Sequence, residues 1–411
     1  MSLTAQRPRI LMVAFACNPQ GGGEHWLGWG WAEEASKFCD VTVLAWDRFA
    51  TNINNRAGET GVRPVLVGVP GWVNRIGDSS TPGRWFRQLV WHHRAGKAAL
   101  ALHYREPFQL VHQTTFHTFR IPFLARDWDV PKVWGPIAGG ETCPPGFDDW
   151  LGGSRLQESL RGPMNRFALN SSKVQKSLAS VDAIFVSNRT TLNFLPAGCF
   201  SKCAIVPPNT VRRDLPPAPV RTAKSVGPLN LLFVGTCVAT RCMPLVFEAL
   251  RRLPKLQCSL TVVGGGPALE GWKNFVASNH LSEKVAFTGK IPFAEVAAHY
   301  EKADAFVFPA LRDSGGSGML EAMSAALPVV CCDWAGPSEM LDENSGVKIS
   351  VENPEAAISG FAAAFEKLQR EPAWRVSLGR AAAERARMEF SWDNKREQIE
   401  KAYGRCLGLS R

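Results

Sequence analysis

The stretch Pro309-Ala-Leu-Arg-Asp-Ser-Gly-Gly-Ser-Gly-Met-Leu-Glu321 follows a short apolar run, Ala305-Phe-Val-Phe308, and overlaps the start of Leu320-Glu-Ala-Met-Ser-Ala-Ala-Leu327. The apolar run has the length and composition of a buried strand. The later run is rich in strong helix formers, and Pro328 predicts its end. The segment therefore reads as strand, glycine-rich turn and helix N-terminus. Such a turn leaves backbone N–H groups unpaired at the helix start and adds the positive end of a helix dipole. Both suit an anion such as a diphosphate. Asp313 and Glu321 frame the turn. Ionised carboxylates only accept hydrogen bonds, which makes them partners for sugar hydroxyls.

An acid, seven residues and a Glu, with glycines in the interval and Ala322-Met323 after it, resembles the E-x7-E signature of family-4 retaining glycosyltransferases. The resemblance implies the GT-B fold, an α/β architecture of two doubly wound Rossmann-like domains with an interdomain cleft. It implies that the first acid, here Asp313 where Glu is usual, holds hydroxyls of the donor sugar. Glu321 would hold the nucleotide ribose, and the loop of Ser314, Gly315, Gly316 and Ser317 would hold sugar and phosphate. On the residues alone a second reading stands beside it: a βα loop with a solvated Asp and a Glu that only complements the helix dipole.

At 411 residues the chain exceeds one hydrophobic core and predicts two domains. Apolar and charged fractions of 45% and 20% are ordinary for a globular protein. No run approaches the ~20 apolar residues of a membrane span. The N-terminus runs straight into Ile10-Leu-Met-Val-Ala-Phe15, without a signal-peptide core and cleavage site, so a cytoplasmic protein is expected. The eleven cysteines are scattered. Cys199 and Cys203 have the spacing of half a zinc site with no second half, so reduced core cysteines and no metal are expected. The net charge of +10 suits nucleic acid, an anionic membrane surface or anionic substrates. No zinc finger, RNP or basic-helix motif appears, which disfavours nucleic acid.

After the first strand comes Ala16-Cys-Asn-Pro-Gln-Gly-Gly-Gly-Glu-His-Trp26, a glycine-rich loop that leads into a helix and then the strand Val41-Thr-Val-Leu-Ala45. This β-loop-α-β order opens a doubly wound domain. The dinucleotide fingerprint G-x-G-x-x-G fails, because Gly21 and Gly23 are followed by Trp26, and a nicotinamide enzyme is disfavoured. The loop resembles the family's N-terminal glycine loop, with Gly22, Gly23 and Glu24 where Gly-Ser-Glu is usual. The resemblance implies that its amides face the donor diphosphate. Farther on, Arg84-Trp-Phe-Arg-Gln-Leu-Val-Trp-His-His-Arg-Ala-Gly-Lys97 interleaves aromatics with bases. Trp85, Phe86, Leu89 and Val90 recur at helical spacing, flanked by Arg84, Arg87, Arg94 and Lys97. This pattern fits an anionic membrane interface and equally a core helix with a solvated basic face.

Gln109-Leu-Val-His-Gln-Thr-Thr-Phe-His-Thr-Phe-Arg-Ile-Pro122 reads as a strand ending in a polar loop, the place where open α/β sheets bind ligands. His112 and His117 sit there. The resemblance implies that one of them, with His112 the preferred match, contacts the donor sugar near the anomeric centre. Arg120, before Pro122, resembles part of the subgroup's Arg-Glu-Pro. Lys132-Val-Trp-Gly-Pro-Ile-Ala-Gly-Gly-Glu141 resembles its Gly-Pro-x-Gly-Gly segment, which implies Gly139, Gly140 and Glu141 on the acceptor side.

The expected boundaries are a first domain over 1–212, a proline-rich linker over 213–228, a second domain over 229–388 and a closing helix over 389–411. That last helix would cross back to the first domain, as in the family. In the second domain, Leu229-Asn-Leu-Leu-Phe-Val-Gly235 and the turn after it resemble Gly-Arg-x-x-x-x-Lys-Gly, whose Arg and Lys clamp the diphosphate. Here Gly235 is followed by Thr236 in place of Arg, Arg241 in place of Lys, and Cys242 in place of Gly. Gly265 ends the next strand, and Lys290 follows the strand expected near the nucleobase.

The resemblance then implies retaining transfer of a hexosyl unit from a nucleoside diphosphate sugar to a glycan or lipid-linked alcohol. It implies no cofactor and no metal, and a peripheral place on the inner face of the cell membrane is compatible with the charge. A sugar-nucleotide binder with weakened catalysis and a GT-B epimerase are the alternatives that the altered clamp leaves open.

Overall fold

Runs rich in Val, Ile, Leu and Phe form parallel strands in two sheets. The computed structural model describes residues 7–79, 81–115, 118–213, 218–223 and 226–409. The first sheet comprises β1 (Arg9–Ala14), β2 (Asp40–Trp46), β3 (Arg63–Val67), β4 (Leu110–Gln113), β5 (Lys132–Ile137), β6 (Ala183–Val186) and β7 (Cys203–Ile205). Its order is β3-β2-β1-β4-β5-β6-β7. The second comprises β8 (Leu229–Val234), β9 (Cys258–Val263), β10 (Val285–Gly289), β11 (Ala305–Phe308), β12 (Val329–Cys332) and β13 (Gly346–Ile349), in the order β10-β9-β8-β11-β12-β13. Helices cover both faces, so the strands are nearly continuous apolar runs rather than alternating ones. This is the α/β, doubly wound architecture that the sequence predicts. In each sheet the winding reverses beside its first strand, between β1 and β4 and between β8 and β11. Ligands bind beyond the strand C-termini at such switch points.

The chain divides into one unit of residues 1–140, 164–208 and 392–411 and a second of residues 141–163 and 209–391. Residues 141–163 thus differ from the expected boundaries, since they belong with the second unit. Phe147 and Leu151 are buried in its core, Trp334 donates its indole N–H to the Thr142 carbonyl (2.7 Å), and Arg312 makes a two-pronged pair with Glu158 (2.6 and 2.9 Å). These contacts join positions more than 150 residues apart, so no local pattern announces them. Residues 214–217 and 224–225 of the expected linker lie outside the described residues. Arg221, within it, is not loose chain. Its guanidinium donates to the carbonyls of Tyr300, Ala303 and Ala325 at 2.7–2.9 Å.

The Trp392–Cys406 helix belongs to the first unit. It packs on the Glu24–Ala35 helix at Gly30, where a Cβ would fall 2.2 Å from the Trp392 ring. Arg396 pairs with the buried Glu34 (3.0 Å), and the buried Lys395 donates to the carbonyls of Pro207 and Pro208. In the Thr81–Arg105 helix, Trp91, Ala95 and Ala99 face the core. Arg87 does not flank an outer face as the spacing suggests. It is buried over Trp46 and paired with Asp78 (2.6 Å). Phe86 and Leu89 are exposed, and Phe86 lies against Trp72. Among the described residues no helix is long and apolar enough to cross a membrane.

Candidate functional site

The loops after β8 and β11 meet at the switch point of the second sheet, and glycines let them close on the strand ends. A Cβ on Gly264, itself at φ +139, would fall 1.9 Å from the Gly235 carbonyl oxygen, and one on Gly318 would fall 2.7 Å from that of Val234. Cys237 N–H donates to the Gly265 carbonyl (3.0 Å), which fixes the loop that begins at Gly235 and Thr236. Thr236 is exposed, as is Lys290 after β10.

That loop ends in a turn at Ala239–Arg241, followed by Cys242 at φ 38 and ψ 44. The left-handed region costs an L-residue roughly 1–2 kcal/mol, which is the physical reason for Gly in the resembled motif. Arg241 lies 4.4 Å above the Phe308 ring and is ion-paired with Asp313. Asp313 Oδ1 also accepts the Gly315 N–H (2.7 Å). Both side chains of the pair are mostly buried, so the interaction is screened less than on a surface. The structure thus brings together the two chemistry-bearing residues singled out in these two loops.

The Ser317–Ser324 helix starts at Gly316 with no side chain capping its first amides. The positive end of the helix therefore opens toward the loop. Asn209, which the sequence reading did not select, holds this start. Its Nδ2 donates to the Gly315 carbonyl and its Oδ1 accepts from the Ser317 hydroxyl (3.2 Å). Tyr300 is a second omission. Its hydroxyl donates to Glu321 Oε2 (2.9 Å) and lies 3.2 Å from the Gly318 carbonyl. Burial first, and the Glu321 charge second, push its pKa well up, so Tyr300 stays a donor. Neither residue sits in a motif, and only the fold brings them to the turn.

In the first unit, Gly22 and Gly23 are exposed at the start of the Glu24–Ala35 helix, and Gly23 has φ 56. Asn18 organises the loop: its carbonyl accepts the Gly21 N–H and its side chain accepts the Gln20 N–H. The four residues expected on the acceptor side are placed as follows. Gly139 and Gly140 are buried; a Cβ on Gly140 would press on Thr191 and Phe194, and the Gly139 carbonyl accepts from Asn165. Glu141 is buried and its carbonyl accepts from Arg161 in the second unit. Arg120 bonds Asn165 Oδ1 (2.8 Å) and lies over Trp85, so its fork is engaged inside the fold. His117 lies outside the described residues.

His112, the preferred match for the donor-sugar contact, lies inside the first unit. It is fully buried in β4, and both ring nitrogens are engaged. Nε2–H donates to the Gly135 carbonyl (2.9 Å), and Nδ1 accepts from the Tyr403 hydroxyl (2.7 Å). The ring ties the closing helix to the sheet and touches no open surface. Burial pushes its pKa down to about 3, and that of His92, also buried, to about 4. The unfolded chain takes up these protons below about pH 6.5, whereas the folded chain does so only near 4 and 3. Their contribution is therefore complete above pH 6.5 and is lost as pH falls. At pH 5 each histidine is expected to cost roughly 2 kcal/mol of stability relative to pH 7.5. Urea midpoints at the two pH values test this, with a flatter dependence in His112→Gln. Equal midpoints for the parent protein would contradict it.

The eleven cysteines form no disulfide. Among the described residues no group of three His, Cys, Asp or Glu side chains gathers as a metal site.

Residues 219–385 match the glycosyl transferases group 1 family. D-inositol 3-phosphate glycosyltransferase of Kineococcus radiotolerans is 28% identical over 342 residues, 75% of this chain and 74% of that protein. Among solved structures, sucrose-phosphate synthase of Thermosynechococcus elongatus superposes with a TM-score of 0.66 at 16% identity, covering 98% of this chain and 100% of that one. Anabaena HepE, solved with UDP and glucose, gives 0.62 at 12% identity, covering 97% and 100%. Residues 219–385 therefore resemble a glycosyl transferases group 1 domain, and the chain has the GT-B fold of these solved structures.

Proposed function

We propose that the protein transfers a hexosyl unit from a nucleoside diphosphate sugar to an alcohol on a glycan or lipid-linked acceptor, with retention of anomeric configuration. The observation that carries this reading is the cluster at the β8/β11 switch point: Arg241 and Asp313 in contact, an uncapped helix N-terminus beside them, and Glu321 oriented by Tyr300. Arg241 and the first amides of the Ser317–Ser324 helix hold the diphosphate. Asp313 holds sugar hydroxyls and Glu321 holds the ribose. The acceptor oxygen attacks the anomeric carbon on the face the diphosphate leaves, the C–O bond to phosphate breaks, and the departing phosphate takes the acceptor's proton. The protein's share is positioning and stabilisation of the leaving charge, with the Arg241 cation and the hydrogen-bond-donating backbone amides facing it. The Kineococcus relative's name, which specifies inositol 3-phosphate, supports a phosphorylated alcohol as acceptor class.

Screening a panel of nucleoside diphosphate sugars for a raised melting temperature tests the reading, since a ligand stabilises by mass action. A donor is expected to stabilise the parent and not an Arg241→Ala, Glu321→Ala double variant. Stabilisation of both to the same extent would refute the site.

A second reading, a sugar-nucleotide binder with weakened turnover, draws on Thr236 in the arginine position and on Asp313 neutralising Arg241. Thr236 is exposed, so an arginine fits there. Thr236→Arg is expected to raise turnover by about tenfold or more, because a second cation faces the developing charge. An inactive parent revived by this change would establish the second reading. Unchanged turnover in an active parent would show that the turn does not face the phosphates.

A further inference from the structure

We infer that Glu158 is a positioning residue for sugar transfer: through Arg312 it holds the neighbouring Asp313 against Arg241. The inference rests on the reading that Asp313 meets the donor sugar, and every residue it uses lies in the second unit. The two loops of the switch point are stitched together twice. The Leu311 N–H donates to the Thr240 carbonyl (2.9 Å), and Asp313 pairs with Arg241. Each loop is also anchored to residues 141–163, one position from its charged member. Beside Arg241, the Cys242 thiol donates to the Trp150 carbonyl (3.9 Å). Beside Asp313, Arg312 gives Nε–H to Glu158 Oε2 (2.6 Å) and Nη2–H to Oε1 (2.9 Å). A two-pronged pair of this kind fixes direction as well as distance. The loop after β12 is held by the same segment, through Trp334 and the Thr142 carbonyl, and its Gly336 N–H reaches the Asp313 carbonyl (3.3 Å).

Burial and charge give Glu158 this task. Its side chain is 5% exposed and that of Arg312 23%. Charges taken so far out of water need a well-aligned partner. Arg312 supplies it to both carboxylate oxygens, and the Cys143 thiol adds a weak donor at 3.8 Å. Arg312 adjoins Asp313 in the chain and carries the same charge as Arg241. With Arg312 held by Glu158, Asp313 is left to Arg241. With Glu158 neutralised, a largely buried guanidinium one residue away competes for Asp313, and the sugar loses a partner fixed in advance. Fastening residues 141–163 to the unit does not call for a buried ion pair, because Phe147 and Leu151 already do so in its core.

The test is the kinetics of the full chain with a donor found by the melting-temperature screen. Glu158→Gln is expected to lower kcat about tenfold or more, as a displaced positioning group does, and to keep the affinity for the nucleoside diphosphate. In an Asp313→Ala background the same change should have no further effect, because it acts through Asp313. Glu158→Leu, Arg312→Met replaces the pair by apolar side chains, which preserves stability but not direction. This variant should melt with the parent and still turn over slowly, which keeps the test valid should Glu158→Gln misfold. Recovery of turnover together with melting temperature would make Glu158 a merely structural residue and overturn the inference. So would unchanged kcat in Glu158→Gln, or its full effect in the Asp313→Ala background. A structure of Glu158→Gln decides without turnover: Arg312 is expected to turn toward Asp313 and to part it from Arg241. An intact Arg241–Asp313 pair there would overturn the inference whether or not the parent is active. A parent that binds no nucleoside diphosphate would instead count against the donor-site reading, which separates the two failures.

Discussion

Glu321→Ala is expected to lower nucleotide-sugar affinity by two orders of magnitude or more. Glu321 lies in the second turn of the Ser317–Ser324 helix, and Tyr300 fixes its carboxylate through Oε2. A carboxylate held in place before the ligand arrives loses little entropy on binding. Each charge-assisted hydrogen bond to a ribose hydroxyl contributes ~1.5–3 kcal/mol. Two such bonds amount to ~3–6 kcal/mol, or about a hundredfold to ten-thousandfold in Kd. The substitution should leave the fold intact, because the buried Tyr300 hydroxyl still has the Gly318 carbonyl at 3.2 Å. Calorimetric titration of a nucleoside diphosphate, beside melting curves without ligand, checks both parts. Unchanged affinity would remove Glu321 from the site.

Arg241→Ala is expected to cost at least ~3 kcal/mol in transition-state stabilisation, about a hundredfold in turnover. A guanidinium can take two phosphate oxygens in its plane, which an ammonium cannot. That geometry lets Arg241 cover part of the role of the arginine that Thr236 replaces. Its stacking on Phe308 fixes the plane of the fork, and Asp313 holds one edge of it. The two residues are coupled, so their effects should not add. Asp313→Ala should mainly lower turnover. The double variant should lose less than the sum of the single losses, because each single change leaves a partly buried charge without its partner. Additive losses would mean that the pair seen here does not persist when donor is bound.

The sequence made the sheets and the switch-point loop legible for a local reason. Strand, glycine turn and helix start follow one another within Ala305–Leu327, and each has its own composition. Asp313 and Arg241 could be singled out because they fall at fixed places in such turns, and the fold pairs them. Tyr300 and Asn209 were not, since their partners lie 21 and about 108 positions away and only the sheet order brings them together. His112 shows the converse. A histidine at a strand's C-terminal end looks like a ligand contact, but the partners that bury it, Tyr403 and Gly135, are contributed by a helix 291 residues later and by the neighbouring strand. Residues 141–163 depend on long-range partners in the same way: they follow β5 in the chain, yet bury Phe147 and Leu151 in the core of the second unit.

The central claim is that a nucleoside diphosphate lies across the β8 and β11 loops, its phosphates on Arg241 and the Ser317–Ser324 helix start, its ribose on Glu321. A structure determined with bound nucleoside diphosphate tests this most directly. The account predicts a phosphate oxygen within hydrogen-bond distance of the Arg241 guanidinium and of the Ser317 or Gly318 N–H, with ribose hydroxyls on Glu321. A nucleotide bound away from these loops, or lying here with its ribose more than one water's reach from Glu321, would contradict it.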